Sequence, residues 1–355
     1  MANERTLLEA RHRANIVRYT GDKHDSHIDY QPERLADIVD EFSRSALEVN
    51  ADVTPDLDKC VAISCFRLGV PREAVNVFVY SSHEIQAACY YTSTEQCLIR
   101  LSSSLVNLLS SEEICFVVGH ELGHFLLQHS PVATSSNSFE YFVFQRAKEI
   151  SADRIGYFAI NDGSSSLRAF MKTASGLLDH HLGGLSDRYI EQLKNLKNSK
   201  LRENPFSTHP PMLLRAHILD KFISHVGNLD FHCIENSQVT EANNETDTIV
   251  SQFLDQDYNE KLAELDENFR IWSAAKIVCS DGRFDRNEQE KFKELFGEET
   301  LKKLIAFIGG LGNDDVIENI SKKIRLAEDA LLKFSPERSS RLKSEAMAAL
   351  AKAFQ

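Results

Sequence analysis

No apolar run in this chain approaches the ~20 residues that a membrane-spanning helix requires, so no transmembrane segment is expected. The amino-terminal stretch MANERTLLEARHRANIVRYTGDKHD alternates charged and apolar residues and lacks the continuous apolar centre of a signal peptide. Cationic excess is also missing. Forty Lys and Arg stand against 53 Asp and Glu, a net charge of −13, so no basic face is announced to meet phosphates and a nucleic-acid partner is not expected. The seven cysteines, at positions 60, 65, 89, 97, 115, 233 and 279, form no Cys-x-x-Cys pair and are odd in number. That speaks against a four-cysteine structural zinc site and for a reducing, cytoplasmic setting. Tryptophan occurs once, at Trp272, and is assigned to a helix core.

What remains is an ordinary globular composition, 42% hydrophobic and 26% charged over 355 residues. That length accommodates two domains, each with its own core. The organising stretch is Ser110–His129, SSEEICFVVGHELGHFLLQH. Ser110 and Glu113 make a capping box, and Pro131 closes the far end. Ile114, Val117, Val118, Leu122 and Phe125 recur near helical spacing, which predicts a core helix. On such a helix, residues four apart share a face. His120 and His124 can therefore aim two imidazole nitrogens at one ion, with Glu121 beside it to accept a proton from a water.

The next helical pattern is FEYFVFQRAKEISADRIGYFAI, after a polar, turn-rich stretch at 130–138. A site with two histidines needs a third protein ligand, and Glu149 on this second helix is the candidate. Asp153, one turn on, is placed to accept a hydrogen bond from the far nitrogen of a ligand histidine. Ala147, Ala152 and Gly156 are small enough to let the two helices approach closely.

Upstream, the pattern over 33–70 predicts two helices, with Thr54 as cap and Pro55 in the first turn of the second. Residues 75–80, 87–91 and 96–101 then read as short strands, expected to assemble as a small antiparallel sheet. An exposed edge of that sheet could take an extended peptide as an added strand, or the strands could simply cover the helices.

The string HELGH, followed about 25 residues later by ExxAD on a second helix, resembles the HtpX-like and CAAX-prenyl-protease-like metallopeptidases (metallopeptidase family forty-eight), which are gluzincins. The resemblance extends over residues 33–225. His83–Tyr90 is similar to the family's substrate-edge region, with Gln86-Ala87 where the family often has Asn-Ala. Thr208-His209-Pro210-Pro211-Met212-Leu213-Leu214-Arg215 is similar to its His-Pro segment. The resemblance implies one Zn2+ held by His120, His124 and Glu149, a Glu121 general base, and a zinc endopeptidase acting on a protein or peptide. It also implies that His209 faces the site and stabilises an oxyanion; by the residues alone, His209 could equally be a helix cap. Arg215 reads as a structural ion-pair partner. Many relatives are membrane-anchored or exported, whereas this chain shows neither feature, so soluble or peripheral substrates are expected.

The expected fold is α+β and mainly helical: a metallopeptidase domain over 1–235, a polar linker over 236–258, and an all-helical domain over 259–355. Within the last, residues 274–288 resemble the centre of TerB-like domains. Asp281, Asp285 and Glu288 do not fit a calcium loop, because Gly282 is misplaced and Arg283 interrupts. Helix capping by Asp285 and Glu288 accounts for them. The appended domain could bind a protein partner, and an alternative reading makes the peptidase latent, with the protein acting in interaction or stress response through that domain.

Overall fold

The computed structural model of the protein describes residues 2–19, 32–91, 95–129, 139–183, 188–189, 191–192, 209–251, 253, 256–280, 284–310 and 315–354. Contacts divide the chain into two units, residues 1–136 with 142–252 and residues 137–141 with 253–355. The polar stretch 130–138 with its Pro131, most of residues 187–198, where the pattern DRYIEQLKNLKN predicts a helix, and Thr208, Asp281, Gly282 and Arg283 lie outside the described residues.

The first unit begins with helix α1 (Ala2–Val17), which the sequence reading did not identify. Its buried residues Leu7, Ala10, Ala14 and Val17 follow a 3-4-3 spacing, one face of a helix hidden within an apparent charged–apolar alternation. The two helices expected over 33–70 are α2 (Pro32–Ser45) and α3 (Pro55–Leu68). Pro55 opens α3 as expected, but the Thr54 hydroxyl is engaged with the Asn50 backbone and makes no cap bond. Gly69 ends α3 with φ +68, a conformation that L side chains rarely adopt.

Strands β1 (Leu47–Glu48), β2 (Val75–Tyr80), β3 (Ala87–Tyr91) and β4 (Cys97–Ser102) form one sheet in the order β1-β2-β4-β3. The antiparallel sheet expected from the sequence is therefore corrected to a mixed one, because β2 and β4 run parallel. The cause lies in β4, where Cys97, Leu98, Ile99 and Leu101 are all buried. A strand apolar on both faces belongs inside a sheet. Its central position puts β2 on one side and leaves β3 on the outside as an edge strand. One sheet face, with Val75, Val77, Cys89, Ile99 and Leu101, joins the main core. The other packs Phe78 and Leu98 against Phe42 of α2.

Short helix α4 (Ser103–Leu108), capped by Ser102, leads into α5 (Ser111–Leu126). The capping box of α5 is complete: the Glu113 amide donates to Ser110 Oγ, and Glu113 Oε2 accepts from the Ser110 amide at 2.7 Å. Next come α6 (Phe139–Ile160), α7 (Gly163–Ser175) and α8 (Met212–Val226). His180 and His181 are exposed in a single 3-10 turn, consistent with surface residues.

Most of the stretch expected as a linker over 236–258 is instead α9 (Asn236–Val250), part of the first unit. Its buried face includes Val239, Ala242, Asn243, Thr246 and Ile249. The polar members of that face are internal ligands. Fully buried Arg154 of α6 donates to Asn243 Oδ1 at 2.6 Å and Thr246 Oγ1 at 3.0 Å. It also reaches the Val17 carbonyl of α1 at 3.2 Å. A polar composition misread as solvated here serves a buried guanidinium.

The second unit is helical throughout its described elements, as expected: α10 (Gln256–Val278), α11 (Arg286–Phe296), α12 (Glu298–Gly309), α13 (Val316–Phe334) and α14 (Pro336–Ala353). Asp285 and Glu288 form a complete capping box at the start of α11. Trp272 is half-buried in this core, with its ring edge-on to Phe307 at 5.0 Å. No described helix is long and apolar enough to cross a membrane.

Candidate active site

The site is built on the contact between α5 and α6, and small residues set how near they come. A Cβ on Gly119 would lie 2.3 Å from Ala159 Cβ, and one on Gly123 would lie 3.0 Å from Ala152 Cα. A Cβ on Gly156 would meet the Phe116 carbonyl oxygen at 2.9 Å. The helices thus touch backbone to backbone, as the small residues of α6 suggest. Gly123 is the glycine within HELGH itself, so the motif encodes the packing as well as the ligands.

That approach brings three groups to one point. His120 Nε2 and His124 Nε2 are 3.1 Å apart. Glu149 Oε1 lies 3.5 Å from His124 Nε2, and Oε2 lies 3.7 Å from His120 Nε2. The three ligand atoms all fall within 4.8 Å of one another. A tetrahedral ion with ligands at 2.0–2.2 Å sets neighbouring ligand atoms about 3.3 Å apart, so this donor set fits zinc. The far nitrogens support the fit. His120 Nδ1 is 2.9 Å from Asp153 Oδ1, and His124 Nδ1 is 2.9 Å from His129 Nδ1. With Nδ1 of His120 donating to Asp153, its Nε2 keeps a lone pair for a cation.

Asp153 lies one hydrogen bond from His120, on the nitrogen turned away from His124 and Glu149. Arg215 of α8 is an ion-pair partner, as read from the sequence, but it does more than that reading foresaw. Its guanidinium holds both oxygens of Asp153 and lies 3.1 Å from Glu149 Oε2. His129 was not singled out, although its place five residues after His124, just past the helix end, was visible. His209 is largely exposed, with Nε2 3.5 Å from Glu149 Oε1. It stands two residues before Pro211, the residue preceding α8.

The electrostatics separate these groups. Burial pushes Glu121 up to about 7, reinforced by Glu149 and opposed by the charges of His120, Arg215 and Arg100. Burial, then the charges of His120 and His129, drives His124 well below the ordinary histidine value. Burial works against ionised Asp153, yet the charge and hydrogen bonds of Arg215 outweigh it and hold its pKa below the usual carboxylate range. These are a neutral imidazole, a carboxylate poised near neutrality and a fixed anion.

The groups open into a cleft of about 510 Å³. Glu121, His120, His124 and Glu149 line it, β3 forms one wall through Ala87, Ala88, Cys89 and Tyr90, and Phe170 and Thr173 of α7 contribute another part. The cysteines stay apart from the ligands. Cys115, one turn away on α5, is buried and directs its thiol to the Cys60 carbonyl.

The model of peptidase family M48 matches residues 51–144 and 133–223, a range that takes in β2 to β4, α5 to α7, His209 and Arg215. No curated protein and no solved structure matches the chain.

Proposed function

Because residues 51–223 belong to peptidase family M48, the protein is a metallopeptidase, and we propose that it is a zinc-dependent endopeptidase with Glu121 as its general base. The observation that carries this reading is the convergence of His120, His124 and Glu149, whose ligand atoms lie within 4.8 Å of one another beside buried Glu121. When bound there, zinc supplies Lewis acidity that lowers the pKa of a water from 15.7 towards ~7 and polarises a carbonyl.

Glu121, with a pKa raised to about 7, is suited to take a proton from the attacking water and return it to the leaving amine. His209, at the cleft rim, is the donor assigned to the oxyanion of the tetrahedral intermediate. Asp153 and Arg215 hold the imidazole of His120. Substrate is assigned to the edge of β3. The Ser102 amide donates to the Gln86 carbonyl at 2.9 Å, and in an antiparallel pair bonded and non-bonded residues alternate. The backbone groups of Ala87 and Cys89 therefore point away from β4, towards the free side, where an extended peptide can pair with them. An edge strand grips backbone in mid-chain, which favours internal cleavage.

The test compares the unaltered protein with Glu121→Gln on casein, with metal content measured in both. Zinc near one equivalent in each and turnover lost only in the variant are expected. Undiminished hydrolysis by Glu121→Gln would sink the general-base assignment, and a protein unable to acquire zinc would sink the metal assignment.

A further inference from the structure

One cation on the cleft wall has no carboxylate of its own. Arg100 of β4 stands directly across from Ala88 of β3. Its guanidinium carbon lies 5.7 Å from the ring centre of Phe42, 5.4 Å from that of Tyr80 and 5.4 Å from that of Tyr90. Three rings thus hold the charge by cation–π attraction. Arg100 lines the same cleft as Glu121. The cleft's other guanidinium, Arg215, is bound to Glu149 and Asp153. No carboxylate pairs with Arg100 among the described residues, and its buried Nε has no hydrogen-bond partner there. Aromatic rings position a cation without neutralising it. The charge remains available on the wall of the cleft that Glu121 also lines.

The register says what meets this charge. Side chains alternate across a strand, so Ala88 and Tyr90 share the Arg100 face of the sheet. A peptide added at the free edge of β3 would lie two strand spacings from β4, about 10 Å, and present every second side chain to that face. In the row of Arg100, the β3 residue between it and such a side chain is Ala88, which carries only a methyl group. Arginine and glutamate side chains are together long enough to meet across it.

We propose that Arg100 forms a carboxylate-accepting subsite, so that preferred substrates carry a glutamate or aspartate on this face of the added strand. The proposal rests on the peptidase reading above. The carboxylate is assigned to an internal side chain rather than a chain terminus, because β3 binds extended backbone.

The experiment uses full-length, zinc-loaded Glu121→Gln protein and fluorescent peptides of one length in three forms: internal glutamates with an amidated terminus, glutamines in their place with an amidated terminus, and glutamines with a free terminus. The first peptide is expected to bind about tenfold more tightly than the other two, as loss of a charged hydrogen bond implies, with the difference shrinking in high salt. Adding Arg100→Gln is expected to erase the difference, and Arg100→Lys to retain part of it. A purely structural Arg100 would instead weaken all three peptides alike and lower the melting temperature. Equal binding of the first two peptides, a preference that survives Arg100→Gln, or tightest binding of the free-terminus peptide would overturn the subsite. Casein hydrolysis by the unaltered protein is the separate control, since its failure would remove the peptidase reading itself.

Discussion

Arg215 and Asp153 meet in a two-pronged pair, with Nε donating to Oδ2 at 2.8 Å and Nη2 to Oδ1 at 2.6 Å. The same Oδ1 lies 2.9 Å from His120 Nδ1, so α8 fixes the orientation of a candidate metal-binding imidazole carried by α5. Asp153→Asn and Arg215→Lys are each expected to weaken zinc retention by about 10–100-fold. Lysine keeps the charge but cannot reproduce the planar fork. Competition against a chelating indicator dye measures the loss, and unchanged affinity in both variants would refute the coupling.

His209 tests a different step. If it meets charge that develops only in the transition state, His209→Ala is expected to lower kcat by about 10²–10³ while KM changes little. Steady-state kinetics on a quenched peptide separate the two quantities. A rise in KM at constant kcat would assign His209 to substrate binding instead.

Gly119→Ala and Gly123→Ala are expected to destabilise the first unit by about 1–3 kcal/mol each through overpacking, with Gly119→Ala the worse. Its new Cβ would stand 2.3 Å from Ala159 Cβ. The double change Gly119→Ala with Ala159→Gly is expected to recover part of the loss, as read from urea unfolding. No recovery would mean that the clash lies elsewhere.

Lys172 and Glu113 form a pair at 2.7 Å with side chains 0% and 2% exposed. Lys172→Met removes the nearer of two cations at buried Glu113 and leaves Arg168 at 3.6 Å, at an expected cost of about 3 kcal/mol. The pH dependence has two ends. Burial works against the charged Lys172, but its hydrogen bonds to Asp179 and Glu113 outweigh this and raise its pKa above 10.5. Its contribution is full below 10.5 and fades as pH rises through the raised value. Hydrogen bonds from Lys172 and Arg168 hold Asp179 below its ordinary 3.8. That contribution is full above 3.8 and fades as pH falls through the lowered value. Unfolding curves of the unaltered protein and Lys172→Met are therefore expected to differ most across the neutral range and converge towards both extremes. A gap constant across pH would refute the assignment.

The ligand helix and its partner were legible in the sequence because their signals are local. Ser110 with Glu113, His120 with His124, and Glu149 with Asp153 each lie within four positions of one another, so helical periodicity alone places them. The strand order was not legible. Residues 75–80, 87–91 and 97–102 are all apolar runs, and although 97–101 is apolar on both faces, that mark of an inner strand does not say which neighbours pair with it or in which direction. Helix α9 was hidden for a related reason. Asn243 and Thr246 look solvated until Arg154, far away in the chain, is placed beneath them. Arg100 escaped notice because its three rings come from α2, β2 and β3.

The grip of Arg154 on Val17, Asn243 and Thr246 also decides where this protein can be cut. Trimming the chain at 235, where its polarity first rises, would strip away two of the three groups that solvate an interior cation. A shortened protein meant to isolate the catalytic half must therefore keep both the opening helix and everything through Val250, or it will lose its interior before its chemistry can be assayed.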